Sequence, residues 1–142
     1  MARKDTKLDA LARVRLFSAC SKKDLQTISK VSDEVEIAAG ETLIKEGSSG
    51  HEFFLILEGE VTVKRGNRKV AQLGPGQAFG ETALLDRGPR TASVIADTDL
   101  RVLVLGQREF AGVLDEVPGL AHKLLTAMAA RLREADEKAY SH

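Results

Sequence analysis

Phe79-Gly80-Glu81-Thr82-Ala83-Leu84-Leu85-Asp86-Arg87-Gly88-Pro89-Arg90-Thr91-Ala92-Ser93-Val94 is a strand-like run that stops at a glycine, turns through a short helix-prone segment, Glu81 to Leu85, and re-enters a strand behind an arginine. Gly80 lets the backbone approach a ligand closely. The first amides of the helical turn converge on one spot of partial positive charge. Arg90 adds a planar fork of donors at the same spot. Together they suit a phosphate. Glu81 sets a carboxylate beside that anion site, which makes sense only if the ligand also offers a hydroxyl donor such as a ribose 2′-OH.

Outward from this stretch, short apolar or alternating runs fill Glu34 to Gly106, among them Val35–Ile37, Phe53–Leu57, Val61–Val63 and Leu100–Leu105, with glycines between them. Many short strands with turn glycines predict a sandwich, roll or barrel. Arg65-Gly66-Asn67-Arg68 is a hairpin turn, since Gly and Asn both tolerate positive φ. Before the strands, Leu8 to Phe17 has the spacing of an amphipathic helix, and Ser21 with Asp24 forms a capping box for a second. After them, Phe110, Val113 and Leu114 mark one helix. Pro118 to about Lys138 reads as another, started by the proline, with Leu120, Leu124, Met128 and Leu132 as a stripe packing on the strands. The expected division is a single domain over 1–142, with N-terminal helices at 6–32, strands at 33–106 and C-terminal helices at 107–139.

The chain of 142 residues carries 21 basic and 21 acidic side chains, so no global charge draws it to nucleic acid or to an anionic membrane. No run approaches the roughly 20 apolar residues of a membrane span, and the charged N-terminus reads as no signal peptide. One cysteine, Cys20, excludes an internal disulfide and fits a reducing, cytoplasmic setting. His51, His122 and His142 are scattered, so no metal site and no cofactor are expected. No nucleophile–base constellation stands out, so no catalysis is expected.

The quoted stretch resembles the phosphate-binding cassette of cyclic-nucleotide-binding domains, of the cAMP-receptor and kinase-regulatory-subunit type, roughly F-G-E-x-A-L-[L/I/M]-x-x-x-P-R-[A/T/S]-A-[S/T]-V. Ala39 to Gly47 and Glu52 to Val61 resemble the family's early strands, and Leu16-Phe17-Ser18 its helical entry. The resemblance implies a mainly β fold, an eight-stranded, jelly-roll-like β-roll with N-terminal helices and a C-terminal helix that serves as lid or dimer seam. It implies a sensor of cAMP, with cGMP as the other candidate. By resemblance Glu81 accepts the ribose 2′-OH and Arg90 holds the exocyclic phosphate oxygens. Backbone groups of Gly80, Thr82, Ala83 and Ala92 complete the cradle behind Phe79, Thr91 sits beside phosphate or base, and Val63 lines the base. Thr82 stands where an apolar residue is usual. On the C-terminal helix Arg133, Ala135, Asp136 and Tyr140 are candidate base contacts, with Ala135 and Asp136 where Thr or Ser often stands. The partners implied are a cyclic nucleotide, a second copy through the C-terminal helix and a downstream protein. Specific DNA binding by this chain is not expected, because it has no helix to read DNA. A degenerate roll used for protein contact, or a transcription regulator's effector domain, are the alternative functions.

Overall fold

The computed structural model describes the backbone of residues 3–85 and 88–140 and the side chains of 7–80, 83–85 and 88–138. Helix α1 (Arg3–Ala12), a 3-10 turn (Arg15–Phe17) and helix α2 (Lys22–Lys30) precede eight strands. These are β1 (Asp33–Ile37), β2 (Thr42–Ile44), β3 (Glu52–Glu58), β4 (Val61–Arg65), β5 (Arg68–Leu73), β6 (Ala78–Phe79), β7 (Ser93–Ala96) and β8 (Leu100–Gly106). A second 3-10 turn (Glu81–Leu84) lies between β6 and β7, and helices α3 (Gln107–Glu116) and α4 (Leu120–Tyr140) follow β8. The strands form two antiparallel sheets, β1-β8-β3-β6 and β2-β7-β4-β5.

The near-continuous apolar run in β3 is explained by burial on both faces, since successive strand residues point to opposite sides. Phe54 and Ile56 join Ile44, Val61, Phe79, Val94 and Val102 in the core between the sheets. Phe53 and Leu55 point the other way and meet Leu11, Phe17, Ile28, Phe110 and Leu120 from the helices. Leu103 and Leu105 of β8 share that outer face. Phe17 ties the layers together, with its ring 5.9 Å from Phe53 and 6.0 Å from Phe110.

The helix expected over Leu8 to Phe17 is broken: α1 ends at Ala12, and a separate 3-10 turn brings Leu16 and Phe17 into the core. The capping box at Ser21 is present, with reciprocal bonds of 2.9 and 3.1 Å to Asp24. Asp24 also accepts from Lys123 of α4 at 2.6 Å, and that bond, first among its causes, holds the Asp24 carboxyl below its usual range. Burial and the Asp24 charge push the neighbouring Cys20 thiol up to about 11, which leaves it protonated and unreactive at neutral pH.

The hairpin at 65–68 forms as expected, but only Gly66 uses a positive φ, +60°. Glycine at the first central position with an ordinary second residue is the pattern of a type II′ turn. Pro118 does not start α4. It forces Val117 into extended backbone, ending α3, and Gly119 at φ +83° reverses the chain before the helix begins at Leu120. The stripe expected to pack on the strands is also corrected. Leu120, Leu124 and Ala127 are buried, whereas Met128 is 41% and Leu132 66% exposed. No described helix is long and apolar enough to cross a membrane.

Candidate functional site

Phe79 pairs with Phe54 across β6 and β3, and their rings stack 5.1 Å apart. This fixes where the chain leaves the sheet. Gly80 follows at φ +81°, a conformation that L side chains rarely adopt. The 3-10 turn then carries Ala83 and Leu84 inward, both buried. The Ala83 N–H donates to the Gly80 carbonyl at 3.0 Å, so it serves the turn.

On the return path Arg90 is clamped by its own backbone. Its N–H donates to the Ser48 carbonyl at 2.9 Å, and its carbonyl accepts from the Gly47 N–H at 2.8 Å. One residue earlier in that facing loop, the Glu46 N–H donates to the Ser93 hydroxyl at 2.9 Å. The Arg90 side chain is half-buried, and its Nη2 donates to the Glu52 main-chain carbonyl at 2.8 Å. The fork lies between two glycines. A Cβ on Gly50 would stand 2.6 Å from Nε, and one on Gly80 2.9 Å from Nη1. Burial lowers the guanidinium's affinity for its proton, opposed by the Glu52 charge. Among the described residues no carboxylate forms an ion pair with it. A partly buried cation held by a backbone carbonyl is an attractive partner for an anion.

Arg90 opens onto a cavity of about 470 Å³, in the range of small-molecule sites. Of the residues expected from sequence, Val63, Phe79, Gly80, Ala83, Arg90, Thr91 and Ala92 line it. The side chains of Glu81, Thr82 and Tyr140 lie outside the described residues. Arg133, Ala135 and Asp136 are exposed on α4 and are not in the lining. The sequence reading omitted Ile44, Arg65, Gly88, Pro89 and Val94. Three of these were within reach of alternation: Arg65 shares a strand face with Val63, and Ile44 and Val63 each pair with Val94. Among the described residues no group of three or more His, Cys, Asp or Glu could hold a metal.

The model of the cyclic nucleotide-binding domain family matches residues 34–117, which span the roll and α3. This chain belongs to the cyclic nucleotide-binding domain family. A cAMP-dependent protein kinase regulatory subunit from Hypocrea atroviridis is 42% identical over 98 residues, 67% of this chain and 21% of that subunit. The N-terminal domain of a transcriptional regulator from Streptomyces coelicolor A3(2) superposes with a TM-score of 0.86 at 34% identity, covering 91% of this chain and 96% of that one. The regulatory domain of Toxoplasma gondii PKA, crystallised with cAMP, gives a TM-score of 0.73 at 33% identity over 78% of this chain and 44% of that one. This cyclic nucleotide-binding domain spans about a fifth to about three fifths of the length of the curated relatives it matches. It is of the cAMP-receptor and kinase-regulatory type.

The two glycines around Arg90 respond differently to substitution. Gly80→Ala meets a main-chain oxygen, that of Glu52, at 2.8 Å and strains the backbone as well. Gly50→Ala has no positive φ to satisfy and meets only the far end of Arg90. Gly50→Ala is therefore expected to leave the thermal midpoint within about 2 °C, a sub-kcal/mol effect, while weakening cyclic-nucleotide binding at least about fivefold, near 1 kcal/mol. Parallel melting and titration check this. Unchanged binding would mean that the Arg90 position is not what the site needs.

Proposed function

We propose that this domain is a non-enzymatic cytoplasmic sensor that binds one cyclic purine mononucleotide, preferring cAMP to cGMP. The reading rests on one observation above all: the half-buried Arg90 guanidinium faces the cavity, held by the Glu52 carbonyl, with no ion pair among the described residues. In this reading Arg90 holds the exocyclic oxygens of the cyclic phosphate. Glu81 accepts the ribose 2′-OH. Backbone groups of Gly80, Thr82 and Ala92 line the cradle behind Phe79, Ala83 lines the cavity with its N–H held by the turn, Thr91 stands beside phosphate or base, and Val63 packs on the base. The preference for cAMP is supported by the relatives' own names and by the cAMP in the Toxoplasma co-crystal. Calorimetric titration with cAMP and cGMP tests it. One site per chain with tighter cAMP binding is expected, and a cGMP preference above about tenfold, near 1.4 kcal/mol, overturns it.

Helix α4 is the proposed output. Ala121, Leu125, Met128, Leu132 and Ala135 are exposed and recur at spacings of four and three, the pattern of a coiled-coil seam. A second copy fits that seam, and a downstream protein then reads the position of α4. Arg133, Ala135 and Asp136 reach the base only when α4 moves, and Tyr140 is a further candidate base contact on the same helix. The ligand shifts α4 only if it binds one of its positions more tightly than another. Hydrogen exchange over 118–138 tests both roles. Protection should rise with cAMP at fixed protein concentration, and with protein concentration at fixed cAMP. Exchange indifferent to cAMP removes the lid role, and exchange indifferent to concentration removes the seam.

A further inference from the structure

We propose that Arg65 is the residue of the roll itself that covers the purine, its guanidinium lying over the outer face of the base; this rests on the nucleotide reading above. Arg65 is the last residue of β4 and lines the same cavity as Val63 and Arg90. Two residues beyond Val63 on the same strand face, its Cα sits about 7 Å farther along, at the rim. The register pairs Val63 with Val94 and Lys64 with Ser93, so Arg65 stands across from the Ala92–Thr91 end of the cassette.

Its backbone is fixed relative to Arg90. The Gly66 N–H donates to the Glu46 carboxylate at 2.8 Å, and Gly47, next to Glu46, donates to the Arg90 carbonyl at 2.8 Å. Its side chain, by contrast, is exposed and makes no hydrogen bond or ion pair among the described residues. A rim cation on an anchored backbone has a choice of two ligand groups. The cyclic phosphodiester bears one negative charge, which the Arg90 fork meets at the inner end. The purine offers a broad π-face, on which a planar guanidinium stacks well. Val63 packs the base from below, and Arg65 reaches over it on its long stem. Because α4 contributes none of the described lining, this closure from β4 gives the roll a grip on the base that needs no movement of α4.

The experiment is an NMR-detected titration of the parent and Arg65→Ala with two probes. One is cAMP. The other is 1-deoxyribose 3′,5′-cyclic phosphate, which keeps the phosphate and 2′-OH and lacks the base. Arg65→Ala should weaken cAMP binding by about two- to thirtyfold, the range of a cation–π contact, and leave the abasic probe unchanged. Equal weakening with both probes would make Arg65 a phosphate contact, and no change with either would make it a bystander; each result overturns the proposal. A parent that binds neither probe is a different outcome, for it removes the nucleotide reading itself and this inference with it. Far-UV circular dichroism of the variant should match the parent, since the side chain has no partner to lose.

Discussion

Arg90→Ala will weaken cAMP binding by about ten- to a hundredfold, the 1.5–3 kcal/mol of a charge-assisted contact, without destabilising the unliganded fold. The two halves of this expectation have separate causes. In the unliganded protein the guanidinium is partly desolvated, and among the described residues its only side-chain hydrogen bond is to the Glu52 carbonyl. Removing it relieves that desolvation, and the backbone clamp with Gly47 and Ser48 survives because it involves main-chain atoms alone. With ligand, the fork and its charge are lost together. Arg90→Lys should fall between, keeping a charge and losing the two-pronged geometry. Calorimetry reads the affinity and a melt without ligand reads the fold. Parent-like affinity in Arg90→Ala would make the phosphate assignment wrong.

The largest effect on stability is expected at Phe110. It is fully buried, and its ring meets Phe17 where α3 and the N-terminal 3-10 turn close over the sheet. Phe110→Ala should cost about 3–5 kcal/mol, a large share of the 5–15 kcal/mol that holds a domain of this size. Urea denaturation of the variant against the parent measures it, with Phe110→Leu as a milder companion. A loss below about 1 kcal/mol would mean that the helices are not anchored there.

The strand region was readable because its chemistry is local. Apolar residues at every position from Phe53 to Leu57 require a strand covered on both faces, and Ser21 with Asp24 declares a helix start by itself. The failures are positions where two local readings coexist. Helix α4 carries two interleaved stripes, Leu120–Leu124–Ala127 and Ala121–Leu125–Met128–Leu132, and nothing local says which one faces in. Pro118 can open a helix or close one, and the outcome turned on Gly119 adopting a left-handed turn. In the site, Arg90 was legible from its motif. Its acceptor at Glu52, the first residue of β3, and the space it needs at Gly50, in the loop before it, lie some forty residues earlier, and a main-chain carbonyl leaves no mark in a sequence. Arg65 was passed over because it was read only as the start of a turn.

The attachment of α4 has a mechanical consequence. Its 21 residues make a rod about 30 Å long, and among the described residues every buried one on it, from Leu120 to Ala127, lies in the first eight positions, together with the Lys123–Asp24 pair. The remainder projects as a cantilever, steadied at the surface by contacts that include the one between Arg15 and Glu134. Its root is a glycine turn, so a tilt of about 10° there sweeps the far end sideways through about 5 Å. A displacement too small to disturb packing at the root thus grows to about 3 Å at Leu132, about 18 Å along the rod, enough to change which side chains it can touch.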